Sequence, residues 1–144
     1  MTQPDTIMLI CTRESFQSVK CDSVRWLAPN ADYYRIQQAM RTDGLDPPDF
    51  ETWLEWHRQG RRFCATTLMG TIVAQASVVK SSDCDWELAE VRTQAAARRR
   101  GHGLAVASFI TAYILGERQQ AICHALASTI GMQELAMKLG YIRL

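Results

Sequence analysis

One stretch of twenty residues, Trp86–Ala105 (WELAEVRTQAAARRRGHGLA), constrains this chain more than any other. Trp86–Thr93 has the alternation of a strand, an arginine-rich loop follows, Gly101 and Gly103 stand one residue apart, and an apolar helical run begins. A glycine-bearing turn that feeds a helix start aims several backbone N–H groups and the positive end of a helix dipole at one point. That is an anion site of phosphate type. Gly101 and Gly103 carry no Cβ, so a pyrophosphate can come close to the backbone, and Arg98, Arg99 and Arg100 surround it with charge. Two commoner phosphate loops do not fit. There is no G-K-[ST], and Val106 stands where a dinucleotide fingerprint wants a third Gly or Ala. Ala121–His124, the strand after the helix, offers no acid for a ribose.

Charge elsewhere does not compete with this loop. Sixteen Lys+Arg against fifteen Asp+Glu leave a net charge of +1 over 144 residues, so no global field argues for nucleic acid or an anionic membrane. Four of the thirteen arginines fall between Arg92 and Arg100. Five cysteines, an odd number without a C-x-x-C, point to a reduced cytoplasmic protein without a structural zinc. The longest uncharged runs, in 65–80 and 101–116, fall short of the roughly 20 residues a bilayer needs. Ile7–Cys11 has no basic flank, so no signal peptide is expected.

The remaining pattern places the loop in an α/β chain of one domain, residues 1–144. Ile7–Cys11 and Ser23–Leu27 read as short strands. A helix begins near Asn30 with Tyr33, Ile36 and Met40 on one face. Asp46-Pro47-Pro48 signals a second helix start, and Phe50, Trp53, Leu54 and His57 recur at helical spacing until Gly60. His57 on that stripe reads as core packing. Arg62–Leu68 and Thr71–Val79 read as an antiparallel hairpin turning at Met69-Gly70, with Trp86–Thr93 as the next strand. The helix from Gly101 to Glu117 presents Val106, Phe109, Ile110, Tyr113 and Ile114. Ala121–His124 is a strand, Met132, Leu135, Ala136 and Leu139 mark a last helix closed by Gly140, and Tyr141–Leu144 is left for a final strand.

In this setting Arg98-Arg99-Arg100-Gly101-His102-Gly103 resembles the pyrophosphate loop [QR]-x-x-G-x-[GA] of the GNAT superfamily of acyl-CoA-dependent N-acyltransferases. Leu139-Gly140-Tyr141 is similar to that family's closing lG[FY]. The resemblance covers about 62–141, with a weaker likeness over 23–40. It implies a central mixed, mostly antiparallel sheet flanked by helices, with acetyl-CoA as co-substrate and no metal.

It also implies roles. The strand before the loop would pair its backbone at Val91, Arg92 and Thr93 with the pantetheine arm of acyl-CoA. Arg98–Gly103, with Leu104 opening the helix, would hold the pyrophosphate. Glu87 falls where similar enzymes carry a catalytic glutamate. It shares parity with Ala89, Val91 and Thr93; Glu90, the reserve base, sits on the other face unless a bulge resets the register.

Where the family carries Asn, Ser and a proton-donating Tyr, this chain has Thr129, Met132 and Ala136. Thr129 is kept as a cofactor contact, and the usual acid is missing, with Tyr113, Tyr141, Cys123 or water as substitutes. The implied activity is transfer of an acetyl group to a small-molecule or peptide amine. The alternative is a CoA-binding fold that senses or scaffolds. A third reading, RNA binding through the arginines, has no reader motif behind it. Tyr34, Asp43, Asp46 and Trp56 are candidates to read the acceptor. Either Ile7–Cys11 fills the place of the family's last strand, or a second subunit does and makes a dimer.

Overall fold

A computed structural model describes residues 5–144. Its elements run β1 (Thr6–Thr12), β2 (Val24–Trp26), α1 (Tyr33–Thr42), α2 (Phe50–Arg58), β3 (Arg62–Leu68), β4 (Thr71–Lys80), β5 (Trp86–Thr93), α3 (His102–Glu117), β6 (Gln120–Leu126), α4 (Ile130–Lys138) and β7 (Ile142–Arg143). The seven strands form one sheet in the order β2-β3-β4-β5-β6-β1-β7. Every pairing is antiparallel except β5 with β6, which the α3 crossover joins in parallel. Ile7–Cys11 therefore fills the place beside β6, and the short final strand pairs on its outer edge through Leu9 and Ile10.

Strand parity divides the core between two faces. Val78 and Leu88 point to the face covered by α3 and α4, with Val106, Ile110 and Leu139. Phe63, Ala65 and Ile72 point to the opposite face, under α1 and α2, with Ile36 and a fully buried Trp53. α3 buries residues on nearly all its sides, including Ser108 and Thr111, as a helix enclosed by sheet and α4 must.

The helix starts differ from the sequence reading for local reasons. α2 begins four residues past Asp46, at Phe50, because the Asp49 carboxylate accepts the Thr52 N–H at 2.8 Å and caps the first turn. α1 begins at Tyr33, and Asp32 does not cap it with its side chain. That buried carboxylate instead accepts from both terminal nitrogens of Arg25 at 2.9 Å, from Arg35 at 3.1 Å and from the Ala28 N–H at 2.7 Å. The chain turns from β3 to β4 through Met69 and Gly70, both at positive φ, as a type I′ hairpin requires. His57 is a packing residue, its Nδ1 2.8 Å from the Trp53 carbonyl and its ring against Trp53. Gly140 has φ +95, and a Cβ there would overlap the Ser15 carbonyl, which explains the glycine in the closing Leu-Gly-Tyr.

Candidate functional site

The site grows from an interruption in the sheet. β5 and β6 share only two register pairs, Glu87 with Ile122 and Leu88 with Cys123. Beyond Leu88 the strands part, so Ala89–Thr93 keeps β4 on one side and, among the described residues, has no strand on the other. An unpaired stretch of strand edge offers N–H and C=O groups to any extended chain laid along it.

A bulge sits in the same stretch. Ser77 pairs with Ala89 and Gln75 with Arg92, so β5 carries one residue more than β4 here, and Glu90 takes φ +54. The extra residue resets parity. Val91 and Thr93 turn to the α3 face, while Arg92 joins Glu87 on the α1/α2 face. The sequence parity of Glu87 with Val91 and Thr93 therefore breaks at Glu90.

On the α3 face, the loop and α4 enclose a cleft of about 290 Å³. Gly101 is in the left-handed region at φ +78, which lets the chain swing from the loop into α3. No side chain caps that helix, and its first intrahelical bond is Ala105 N–H to the Gly101 carbonyl. The N–H groups of His102, Gly103 and Leu104 precede that bond and sit at the positive end of the dipole. Gly103 is small for a second reason: a Cβ there would stand 2.9 Å from Thr93 Oγ1. Arg98 and Arg99 from the loop and Lys138 from α4 line the cleft with one carboxylate, Glu134, also on α4, so the charge surplus is positive. Arg98 also donates to the Thr93 carbonyl at 3.4 Å.

The other sequence candidates lie around this cleft or outside it. Arg100 is exposed and does not line it, and exposed Thr129 stands at the start of α4, also outside the lining. Val91 packs against the α3 core, so only its backbone faces the opened edge.

At the apex of the opening, on the α1/α2 face, Glu87 Oε1 is 2.9 Å from Nδ1 of His124. The histidine is the residue that sequence reasoning missed. It lies 37 positions from Glu87 and meets it only because β5 and β6 are parallel neighbours. The strand assignment of Ala121–His124 after a crossover helix was the available signal. Glu90 pairs with Arg61 at the mouth of a second hollow whose walls include Trp53, Trp56 and Phe63. Of the four acceptor-reading candidates, Trp56 lines this hollow; Asp43 borders a smaller adjoining one, and Tyr34 and Asp46 are exposed away from both.

None of the protein acids considered as thiolate partners enters the cleft. Tyr141 is buried, with its hydroxyl 2.8 Å from Thr111 Oγ1, and burial raises its pKa. Burial pushes the Cys123 thiol up to about 12, and Tyr113 is stacked on Trp86. Ala136 is fully buried in the core. Among the described residues, no three His, Cys, Asp or Glu side chains gather as metal ligands, and no helix is long and apolar enough to cross a membrane.

No family model and no curated protein matches this chain. Solved structures do. A GNAT-family protein from Novosphingobium aromaticivorans superposes with a TM-score of 0.77 at 17% identity, covering 99% of this chain and 61% of that one. An acetyltransferase of the GNAT family from Colwellia psychrerythraea gives 0.77 at 11%, over 98% and 53%. The chain has the GNAT fold. A GCN5-related N-acetyltransferase from Kribbella flavida gives 0.68 at 19% identity, over 99% and 55%. The chain thus spans between about half and three-fifths of the length of these GNAT-fold structures. At such identities the likeness is one of fold, and the site rests on this chain's own residues.

Proposed function

We propose that this protein is an acyl-CoA-dependent N-acyltransferase that moves an acetyl group from acetyl-CoA to a primary amine by direct attack in a ternary complex. The observation that carries the reading is the opened edge of β5, which runs from the uncapped start of α3 to the Glu87–His124 pair. When bound, acetyl-CoA supplies the activated thioester. Residues 101–104 and the cations of the cleft hold its pyrophosphate, and the free edge of Ala89–Thr93 lines up its extended arm. The GNAT fold of the structures it resembles supports the same assignment.

The chain's own chemical work is alignment and proton removal. Fixed geometry can supply several of the roughly 7–11 kcal/mol available from orientation. An acceptor amine with a pKa near 10.4 costs about 4 to 5 kcal/mol to deprotonate at pH 7, so a base is needed. Glu87 takes that role, with His124 held on its carboxylate at the apex, and Glu90 is bound up with Arg61. As the amine nitrogen bonds to the carbonyl carbon the C–S bond breaks, and the thiolate, the anion of an ordinary thiol near pKa 8.5, takes its proton from water. A cytoplasmic setting suits the five free cysteines.

A second reading, a CoA-binding protein without efficient transfer, draws on Ala136 in the core and Thr129 outside the cleft. A thiol-release assay with acetyl-CoA and a panel of primary amines decides between them. The transferase releases CoA in step with acetylated amine, and Glu87→Gln lowers the rate by about 10² or more. Acetyl-CoA binding without release for any amine establishes the second reading, and no binding sinks both.

A further inference from the structure

The hollow on the α1/α2 face holds more chemical information than an amine site needs. Its walls are aromatic and apolar, with Trp53, Trp56, Phe63 and Met40. It encloses about 110 Å³, of the order of the roughly 150 Å³ apolar cavity that admits benzene. That size suits the ring or branched alkyl end of a small molecule.

Two polar side chains line the same hollow, each with a buried nitrogen that has no partner. Gln75 is only 3% exposed, and its Nε2 is buried without a partner. Arg92 Nε is also buried and unpartnered. Both atoms are N–H donors, so what the hollow lacks is an acceptor. A buried donor left unpaired costs about 1–3 kcal/mol, and more when it is charged, so the pair favours a ligand that brings oxygen.

The local charge says which oxygen. Glu90 is met by Arg61, whose guanidinium also lies over Trp56 with 4.3 Å between its carbon and the ring centroid. Among the described residues Arg92 has no ion pair; Asp43 shares only the smaller hollow behind it, and the two form no salt bridge. One positive charge is left over beside an aromatic cage.

We infer that the acceptor is an amino acid with an apolar or aromatic body, whose carboxylate is read by Arg92 and Gln75 and whose body fills the cage of Trp53, Trp56 and Phe63. The inference rests on the transferase reading for what happens to the amine, and on the hollow alone for binding. A site built to hydrogen-bond a group rejects analogues that lack it far more strongly than a site that differs by a methylene.

Trp53 and Trp56 make the hollow visible by tryptophan fluorescence. The full chain, with and without saturating CoA, is titrated with L-phenylalanine, L-leucine and an aminomethyl benzoate. The same titration is run with phenethylamine, isoamylamine and benzylamine, which lack the carboxylate. At least one carboxylate-bearing amine is expected to bind about 100-fold tighter than its decarboxylated partner, with the benzoate testing a longer reach between the two groups. Arg92→Gln and Gln75→Leu should each erase most of that preference. Since either variant could fail to fold, its melting curve is taken alongside, and the wild-type comparison of acids with amines stands alone.

Equal binding of acids and amines overturns the carboxylate. No binding of any of them, while acetyl-CoA still binds, overturns the hollow as an acceptor site and leaves the transferase reading intact. Binding of the amino acids by a chain that ignores acetyl-CoA supports this inference and removes the transferase reading.

Discussion

The two sides of β5 are built on different principles. On the α3 face, the cleft draws its donors from backbone N–H groups of one continuous segment, 101–104, helped by nearby cations. On the α1/α2 face, the hollow is assembled from side chains of α1, α2, β3, β4 and β5. A phosphate needs only donors and positive charge, which a helix start provides whatever the side chains are. An acceptor must be told from other amines, and only side chains can do that. The first side should therefore resist side-chain changes except where a Cβ intrudes, and the second should depend on each residue.

Four substitutions sharpen or break that contrast. The largest effect is expected from Asp32→Asn, which strips the buried partner from Arg25 and Arg35 under the α1 side. It should cost about 3–5 kcal/mol and lower Tm by on the order of 10 °C, read by calorimetry. Where the variant is still folded, acetyl-CoA affinity should stay within about twofold, because Asp32 and its partners Arg25, Ala28 and Arg35 share no residue with the cleft. The hydrogen bond from Arg25, with the Ala28 N–H helping, holds the Asp32 carboxyl below the usual carboxylate range against the opposing effect of burial. A depressed folded value gives stability that is present above the unfolded value near 3.9 and lost as pH falls through the folded one. The gap between wild type and Asp32→Asn should be full at neutral pH and close only below about pH 4.

Glu87→Gln comes next, with kcat down about 10²–10³, some 3–4 kcal/mol, and acetyl-CoA affinity retained. Full activity across pH 6 to 9 would place the base elsewhere. Gly103→Ala should weaken acetyl-CoA about tenfold, 1.4 kcal/mol, because its Cβ meets Thr93 Oγ1. Adding Thr93→Ala should recover part of that loss, and absence of recovery would separate the glycine from the strand edge. Gly101→Ala has the smallest effect, about 1 kcal/mol for a non-glycine residue at positive φ, seen as a lower Tm with and without ligand.

The same contrast explains what could be read from the sequence. The loop and α3 were legible because each is local: Arg98–Gly103 is contiguous, and the apolar periods of β5 and α3 adjoin it, whereas the place of β1 beside β6 joins distant segments and stayed open. The bulge at Glu90 was legible only as a possibility, since nothing in WELAEVRT says which residue leaves the ladder. His124 carries no signal of its own in the sequence, because pairing it with Glu87 needs the parallel register of two strands separated by a helix. Gln75 sits in an apolar run where a lone amide reads as a strand residue. Its meaning appears only when the strand is laid against Arg92.

The central claim is that the opened edge of β5 and the start of α3 together hold an acyl-CoA. A thermal melt of the full chain with acetyl-CoA, and separately with CoA, tests it most directly. At about 100 times Kd the ligand should add about 2.7 kcal/mol, a rise of several degrees in Tm. An unchanged melt with both ligands would contradict the claim and leave the GNAT fold without its cofactor.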